Sequence, residues 1–197
     1  PLDFLVADYA MDYSFSYTPE DRVVLAPYMD VAMRKSGDTL DQWLANMWRL
    51  DEKVQTYALL QRLATRINQT LSYQLREEPG VQTAPETLSC GPGSCRDFAN
   101  LFMEAVRRLG LASRFVSGYL HAPPSTVNFG ATHAWAEVYL PGAGWKGFDP
   151  TIGEIVGIDH IAVGVARLPE SVPPVAGSFV GPPGASLDVG VWVTGLP

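Results

Sequence analysis

The sequence predicts an α+β fold, helices packed on an antiparallel sheet, from the placement of glycine and a change in apolar spacing along the chain. Before residue 79 the only glycine is Gly37, and the other 17 of the 18 lie between Gly80 and Gly195. Glycine disfavours helix interiors and serves turns, so the first part should be mainly helical and the second rich in strands and turns. Apolar spacing changes at the same place, from i, i+3, i+4 stripes to short runs divided by Pro-Gly links. Helices followed by consecutive strands are the pattern of an α+β domain.

Taken in order, Thr18-Pro19-Glu20-Asp21 starts a first helix with a capping hydroxyl, a first-turn proline and acids facing the dipole. Asp38 or Thr39 caps a second, whose stripe is Leu40, Trp43, Leu44, Met47 and Trp48. A third covers about Gln55 to Leu71, with Leu59, Leu60, Leu63 and Ile67 on one side. From Glu77 to Gly93 the prolines and glycines (Pro79, Gly80, Pro85, Gly91, Pro92, Gly93) predict loop. A fourth helix runs from Cys95 to about Leu109, burying Leu101, Phe102, Ala105, Val106 and Leu109, and Gly110 ends it. Strands are expected at Ser113–Leu120, Thr132–Leu140, Trp145–Asp149, Ile161–Arg167 and Leu187–Val193, with a hairpin turn at Pro141-Gly142-Ala143-Gly144.

Residues 1–197 read as one domain, since the length and the 47% hydrophobic, 18% charged composition suit a single folded core. A formal charge of −7 argues against nucleic acid as a partner. No uncharged apolar run reaches the ~18 residues of a membrane span. The start, Pro1-Leu2-Asp3-Phe4, has neither an initiator Met nor the basic region of a signal peptide, so the chain reads as a piece of a longer one and leans to the cytoplasm. Two cysteines, Cys90 and Cys95, are too few for a disulfide scaffold, and with only His121, His133 and His160 beside them no metal site is expected. Nothing calls for a cofactor, and oligomeric state is not encoded in any visible motif.

The chemistry-bearing segment is Ser94-Cys95-Arg96-Asp97, a capping box that puts Cys95 at the first helical position. Unpaired N–H groups and the positive end of the helix dipole favour a thiolate there over its usual pKa of about 8.5. The same groups can stabilise an oxyanion, and Gly91 and Gly93 leave the approach open. On this segment alone, an inert buried cysteine in an ordinary capping turn is an equal alternative.

A nucleophilic thiol needs a base, and the base an orienting acid. His133 stands near the start of one predicted strand, and Asp149, before Pro150, at the end of the next. Singly, each has a structural explanation; jointly, adjacent strands can present them as neighbours. Directly opposed residues share a sheet face, so the turn decides the matter. Were Leu140 opposite Trp145, Asp149 would point away from His133. With Leu140 opposite Gly144, or Tyr139 opposite Trp145, Asp149 falls on the His133 face as its diagonal neighbour. An odd-length loop or a bulge is therefore expected, with the other ring nitrogen of His133 facing the Cys95 sulfur.

Four blocks, Gly93-Ser94-Cys95-Arg96-Asp97-Phe98-Ala99, Arg114-Phe115-Val116-Ser117-Gly118-Tyr119-Leu120, His133-Ala134-Trp135-Ala136-Glu137-Val138-Tyr139-Leu140-Pro141-Gly142 and Gly144-Trp145-Lys146-Gly147-Phe148-Asp149-Pro150-Thr151, closely resemble the bacterial transglutaminase-like family. The resemblance continues through Asp159-His160-Ile161-Ala162-Val163 to about Val193 and weakens in the first 55 residues. Ser94 stands where Val is commoner, which keeps the cap. The family is described as candidate cysteine proteases with a papain-like order of Cys, His and Asp. The resemblance thus implies a papain-like, transglutaminase-like core with the nucleophile Cys95 at a helix N-terminus, the base His133 and the orienting acid Asp149. It also implies an upstream β-rich domain and a peptide or protein substrate.

Other residues read first as structural: Asp97 as a cap, Arg96 as a surface side chain, Trp135 and Tyr119 as aromatic core with lining of the cleft as the alternative, His160 as a structural histidine with the border of the active site as the alternative, and His121 as a loop residue. The expected reaction is amide cleavage through a thioester, probed against two alternatives: transfer of the acyl group to an amine, as in a transglutaminase, and a peptide-binding module without catalysis.

Overall fold

The computed structural model describes residues 4–30, 38–49, 52–76, 78–121, 132–178, 180–181, 184, 186 and 189–193. Five helices come first: α1 (Pro19–Met29), α2 (Asp38–Ala45), α3 (Thr56–Thr70), α4 (Ala84–Cys90) and α5 (Cys95–Arg108). Among them lie four two-residue strands, β1 (Asp12–Tyr13), β2 (Val54–Gln55), β3 (Ser72–Tyr73) and β4 (Pro92–Gly93). After α5 come β5 (Ser113–Leu120), β6 (Thr132–Leu140), β7 (Gly144–Asp149), β8 (Glu154–Ile155) and β9 (His160–Ala166). These last five form one antiparallel sheet in the order β8-β7-β6-β5-β9. The α+β expectation holds.

The core lies between α5 and the sheet. Leu101, Phe102, Ala105 and Val106 are fully buried and meet Phe115, Ala134, Ala136, Val138, Leu140 and Phe148. Phe102 stacks on Phe148 with ring centroids 5.6 Å apart, tying the middle of α5 to the end of β7. From the other side α3 buries Leu59, Leu60, Leu63 and Ile67, the stripe its sequence predicts.

Several boundaries differ from the sequence reading. The loop expected over 77–93 contains α4, because Thr83 and Glu86 form a reciprocal capping box and Pro85 falls in the first turn, where a missing N–H does no harm. Cys90 is thus the exposed last residue of a helix rather than a loop residue, and Gly91 closes that helix at φ +84°. Helix α2 stops at Ala45, so Met47 and Trp48 lie beyond it; the residue before Asp38 falls outside those described. Residues 189–193 form no strand, and Leu187 and Asp188 are outside the described set.

The β6–β7 hairpin has Leu140 opposite Gly144, leaving the three-residue loop Pro141-Gly142-Ala143 with Gly142 at φ +84°. On the far side, β5 and β9 run in register from Phe115↔Ala166 to Ser117↔Gly164 and then slip, so that Gly118 opposes Ala162 and Val163 opposes nothing. Gly118 is the tightest point of this bulge. A Cβ there would collide with the Ile161 carbonyl and lie 2.8 Å from the Trp135 ring. Gly118→Ala is expected to destabilise the protein by about 1–3 kcal/mol in urea denaturation, whereas Gly157→Ala, with open space around it, should be near neutral; equal effects would contradict this packing.

Candidate active site

Cys95 opens α5, and its cap is tightly held. Ser94 Oγ accepts from the Asp97 N–H, and an Asp97 carboxylate oxygen accepts from the Ser94 N–H and hydroxyl at 2.8 Å each. The sequence reading of Asp97 as a cap is correct, but its role is wider. Arg76 donates to both carboxylate oxygens at 2.8 and 2.9 Å, and the Gln82 N–H donates at 2.8 Å. Burial alone would raise the Asp97 pKa; the Ser94 and Gln82 N–H groups and Arg76 hold it below the ordinary value. Arg76 and Gln82 are thereby fastened to the helix start. Arg96 is not a free surface side chain: it donates to the carbonyls of Pro169 and Val172 at 2.7 and 3.1 Å and lies over the Phe115 ring. Gly93 has a packing reason as well, since a Cβ would lie 2.8 Å from the Phe98 ring.

His133 is the second residue of β6, and Cys95 lies near enough to its ring to be among the groups that raise the His133 pKa. Its Nε2 lies 2.6 Å from Asp149 Oδ2, which leaves Nδ1 as the nitrogen for the thiol. Asp149 is fully buried, and its Oδ1 accepts the Thr151 N–H at 2.8 Å. The odd-length hairpin anticipated from the face argument is what brings these groups together. Ala136 opposes Phe148, so the next step carries Asp149 to the Trp135 position on the His133 face. Helix α3 fixes the turn after Asp149: Gln61 donates to the Gly153 carbonyl at 2.7 Å and Asn68 to that of Thr151 at 2.7 Å.

Two further residues stand at this site: His160, which the sequence reading placed between a structural role and the border of the site, and Tyr73, which it did not single out. His160 Nε2 lies 3.0 Å from Asp149 Oδ2, and its side chain is only 3% exposed. Its ring meets Trp135 edge-on at 5.2 Å, and Trp135 is itself fully buried against the His133 ring. The only sequence signal was the Asp159-His160 block; the bulge that aims the ring leaves no mark in composition. Tyr73, half-exposed and paired with Gly93, is near enough to Cys95 that its phenol is raised by burial and then by the cysteine's charge. Tyr119 is half-buried, and His121, just after β5, bonds Asp159 through both its backbone and its ring.

His133, Asp149 and His160 place three ligand-type atoms within 4.8 Å, a cluster not expected from the sequence. Both imidazole Nε2 atoms converge on one carboxylate oxygen at hydrogen-bonding distance. That is the geometry of a proton-bridged cluster, and a metal ion would have to break both bonds to enter. Beside the helix start a cleft of about 560 Å³ is lined by Arg76, Pro79, Val81, Ser94, Arg96 and Val175, among others. Ser94 and Arg96 are the residues on either side of Cys95.

The model of the transglutaminase-like superfamily matches residues 44–150, more than half of the 197. The chain belongs to the transglutaminase-like superfamily. The matched range holds Cys95, His133 and Asp149 and ends one residue after the last of these. An uncharacterized protein of Mycobacterium tuberculosis is 36% identical over 128 residues, covering 60% of this chain and 41% of that one. A second, from Mycobacterium leprae, is 37% identical over 108 residues, 53% of this chain and 38% of that one. The chain thus spans well under half the length of these relatives. Among solved structures, a Cytophaga hutchinsonii protein described as a candidate cysteine protease superposes with TM-score 0.61 at 22% identity, over 76% of this chain and 50% of that one. The periplasmic domain of TgpA from Pseudomonas aeruginosa gives 0.51 at 22%, over 70% and 49%. At these identities the structural matches speak for the shared fold. No helix among the described residues is long and apolar enough to cross a membrane.

The electrostatics carry a pH dependence. Burial disfavours a charged His133, but Asp149 and the charge of Cys95 outweigh it and raise its pKa from 6.5 to about 10. Burial likewise disfavours the Asp149 carboxylate, yet the bonds from His133, His160 and the Thr151 N–H hold it well below the usual carboxylate range. The group raised in the folded state, His133, therefore stabilises the protein fully below pH 6.5, and that contribution is lost as pH rises through about 10. The depressed group, Asp149, contributes above its ordinary pKa of 3.8 and loses that contribution at lower pH. The Tm difference between wild type and His133→Ala should accordingly hold steady between about pH 5 and 6.5 and shrink towards pH 10; a difference constant over that upper range would contradict the pairing.

Proposed function

We propose that this chain carries the catalytic domain of a cysteine-nucleophile enzyme that cleaves amide bonds of peptides or proteins through a thioester acyl-enzyme, with Cys95 as nucleophile, His133 as base and Asp149 as orienting acid. The observation that carries the reading is a single imidazole acted on by two groups: a fully buried carboxylate 2.6 Å from Nε2, and a cysteine at a helix N-terminus close enough to raise the ring's pKa. A core histidine would need only one partner. This one bridges a potential nucleophile and an acid, the arrangement general base catalysis requires.

In the proposed reaction Nδ1 of His133, whose pKa is raised to about 10, already holds the Cys95 proton when the sulfur attacks the amide carbonyl. The resulting imidazolium is held by Asp149. As the C–N bond breaks, His133 returns the proton to the departing amine, leaving the acyl group on sulfur. Water then attacks the thioester, again giving its proton to His133, and the carboxylic acid leaves as the thiol re-forms. The N–H groups at the start of α5 face the developing oxyanion. Hydrolysis is preferred to amine transfer because the structural neighbour from Cytophaga hutchinsonii is described as a candidate cysteine protease. The cleft beside Ser94 and Arg96 is where a peptide substrate would approach Cys95.

Thiol labelling separates an enzyme from a binding module that kept the fold. Cys90 is the more exposed of the two cysteines, so accessibility alone would favour its modification. Iodoacetamide at neutral pH is nonetheless expected to modify Cys95 first, read by peptide mass mapping, and His133→Ala should slow that reaction by roughly 10²-fold, a typical general-base contribution. Preferential labelling of Cys90, or a Cys95 rate indifferent to His133, would refute the nucleophile assignment.

A further inference from the structure

The bulge between β5 and β9 changes which face of the sheet His160 occupies. On β5, Val116 and Gly118 share the face of Trp135 and His133, the residues opposite them on β6. At Val116 the partner on β9 is Val165, so an unbroken register would give that face to Val165, Val163 and Ile161. The unpaired Val163 resets the count. Gly118 opposes Ala162 and Leu120 opposes His160, which brings His160 onto the face of His133. Without that one extra residue the ring would project from the opposite side of the sheet.

The ring's hydrogen bonds then determine its tautomer. Nδ1 accepts the Gly157 N–H at 3.2 Å, so the ring proton sits on Nε2, which lies 3.0 Å from Asp149 Oδ2. Asp149 is therefore gripped on three sides: Oδ1 by the Thr151 N–H, and Oδ2 by His133 and by His160. A carboxylate held only by the histidine it orients could rotate away from it. One with a second, buried donor on the same oxygen cannot do so without leaving an N–H unpaired.

We propose that His160 is a positioning residue for the Cys95–His133–Asp149 site: its neutral ring, locked by the Gly157 N–H, donates Nε2–H to Asp149 and keeps that carboxylate aimed at His133. The inference rests on the catalytic reading given above. It assigns His160 no contact with substrate, and it makes the β5–β9 bulge part of the site.

The test uses the whole chain and the rate of Cys95 alkylation by iodoacetamide, in wild type, His160→Leu and His160→Gln, and in the same pair of changes on an Asp149→Asn background. His160→Leu is expected to slow alkylation roughly tenfold, the worth of one buried hydrogen bond. His160→Gln, whose side-chain amide can reach Asp149, should stay within about threefold of wild type. On the Asp149→Asn background His160→Leu should change the rate little, because its only effect acts through the carboxylate. A loss that is the same on both backgrounds, or one that Gln does not relieve, would mark a merely structural histidine and overturn the proposal. Should the Leu variant not fold, long-range ¹H–¹⁵N correlation on the wild type decides the point: an Nε2–H tautomer of His160 is expected, and an Nδ1–H tautomer overturns it. Wild type that fails to label Cys95 selectively counts against the catalytic reading. Selective labelling that His160→Leu leaves unchanged counts against His160 alone.

Discussion

Everything at this site depends on the register of one hairpin. Side chains on a strand alternate between faces, so the number of residues in the β6–β7 turn decides whether Asp149 meets His133 or the other side of the sheet. The three-residue loop gives the first outcome, and Gly142, at φ +84°, supplies the left-handed conformation that this short turn uses. A loop one residue longer would leave every element of the fold in place and separate the acid from the base. The buried Asp149 would then have lost the His133 bond that helps offset its desolvation.

The surrounding structure reads as support for that register. Helix α3 grips the turn beyond Asp149 through Gln61 and Asn68, while Phe148, the residue before it, is stacked on Phe102 of α5. The helix that carries Cys95 is therefore packed on the strand that carries Asp149, and small displacements of one are felt by the other. At the opposite end of the site Asp97 joins three segments at the start of α5, from Arg76, Gln82 and Ser94. These interactions lie outside the proposed chemistry, yet they fix the helix N-terminus from which it would proceed.

What could be read from the sequence follows from how local the determining forces are. The Ser94–Asp97 capping box is a matter of four residues, and the face of Asp149 follows from counting along a hairpin, so both were legible. Helix α4 was missed because prolines and glycines were read as loop, although Thr83, Pro85 and Glu86 together spell a helix start. Arg96 looked like a surface residue because its partners, the carbonyls of Pro169 and Val172, lie more than 70 positions away. The placement of His160 depended on a bulge, which inserts one residue without any characteristic spacing and reverses the face of all that follows. Long-range slips of this kind leave a sequence pattern intact and change its meaning.

The central claim is that Cys95, served by the His133–Asp149 pair, is an acyl-transfer nucleophile, and intact-mass spectrometry tests it most directly. The purified protein, incubated with a library of peptide amides and esters and quenched in acid, is expected to carry an acyl adduct that maps to Cys95. The adduct should be absent from Cys95→Ala and greatly reduced in Asp149→Asn. An adduct on Cys90, or one on Cys95 that forms equally well without the Asp149 carboxylate, would contradict the account.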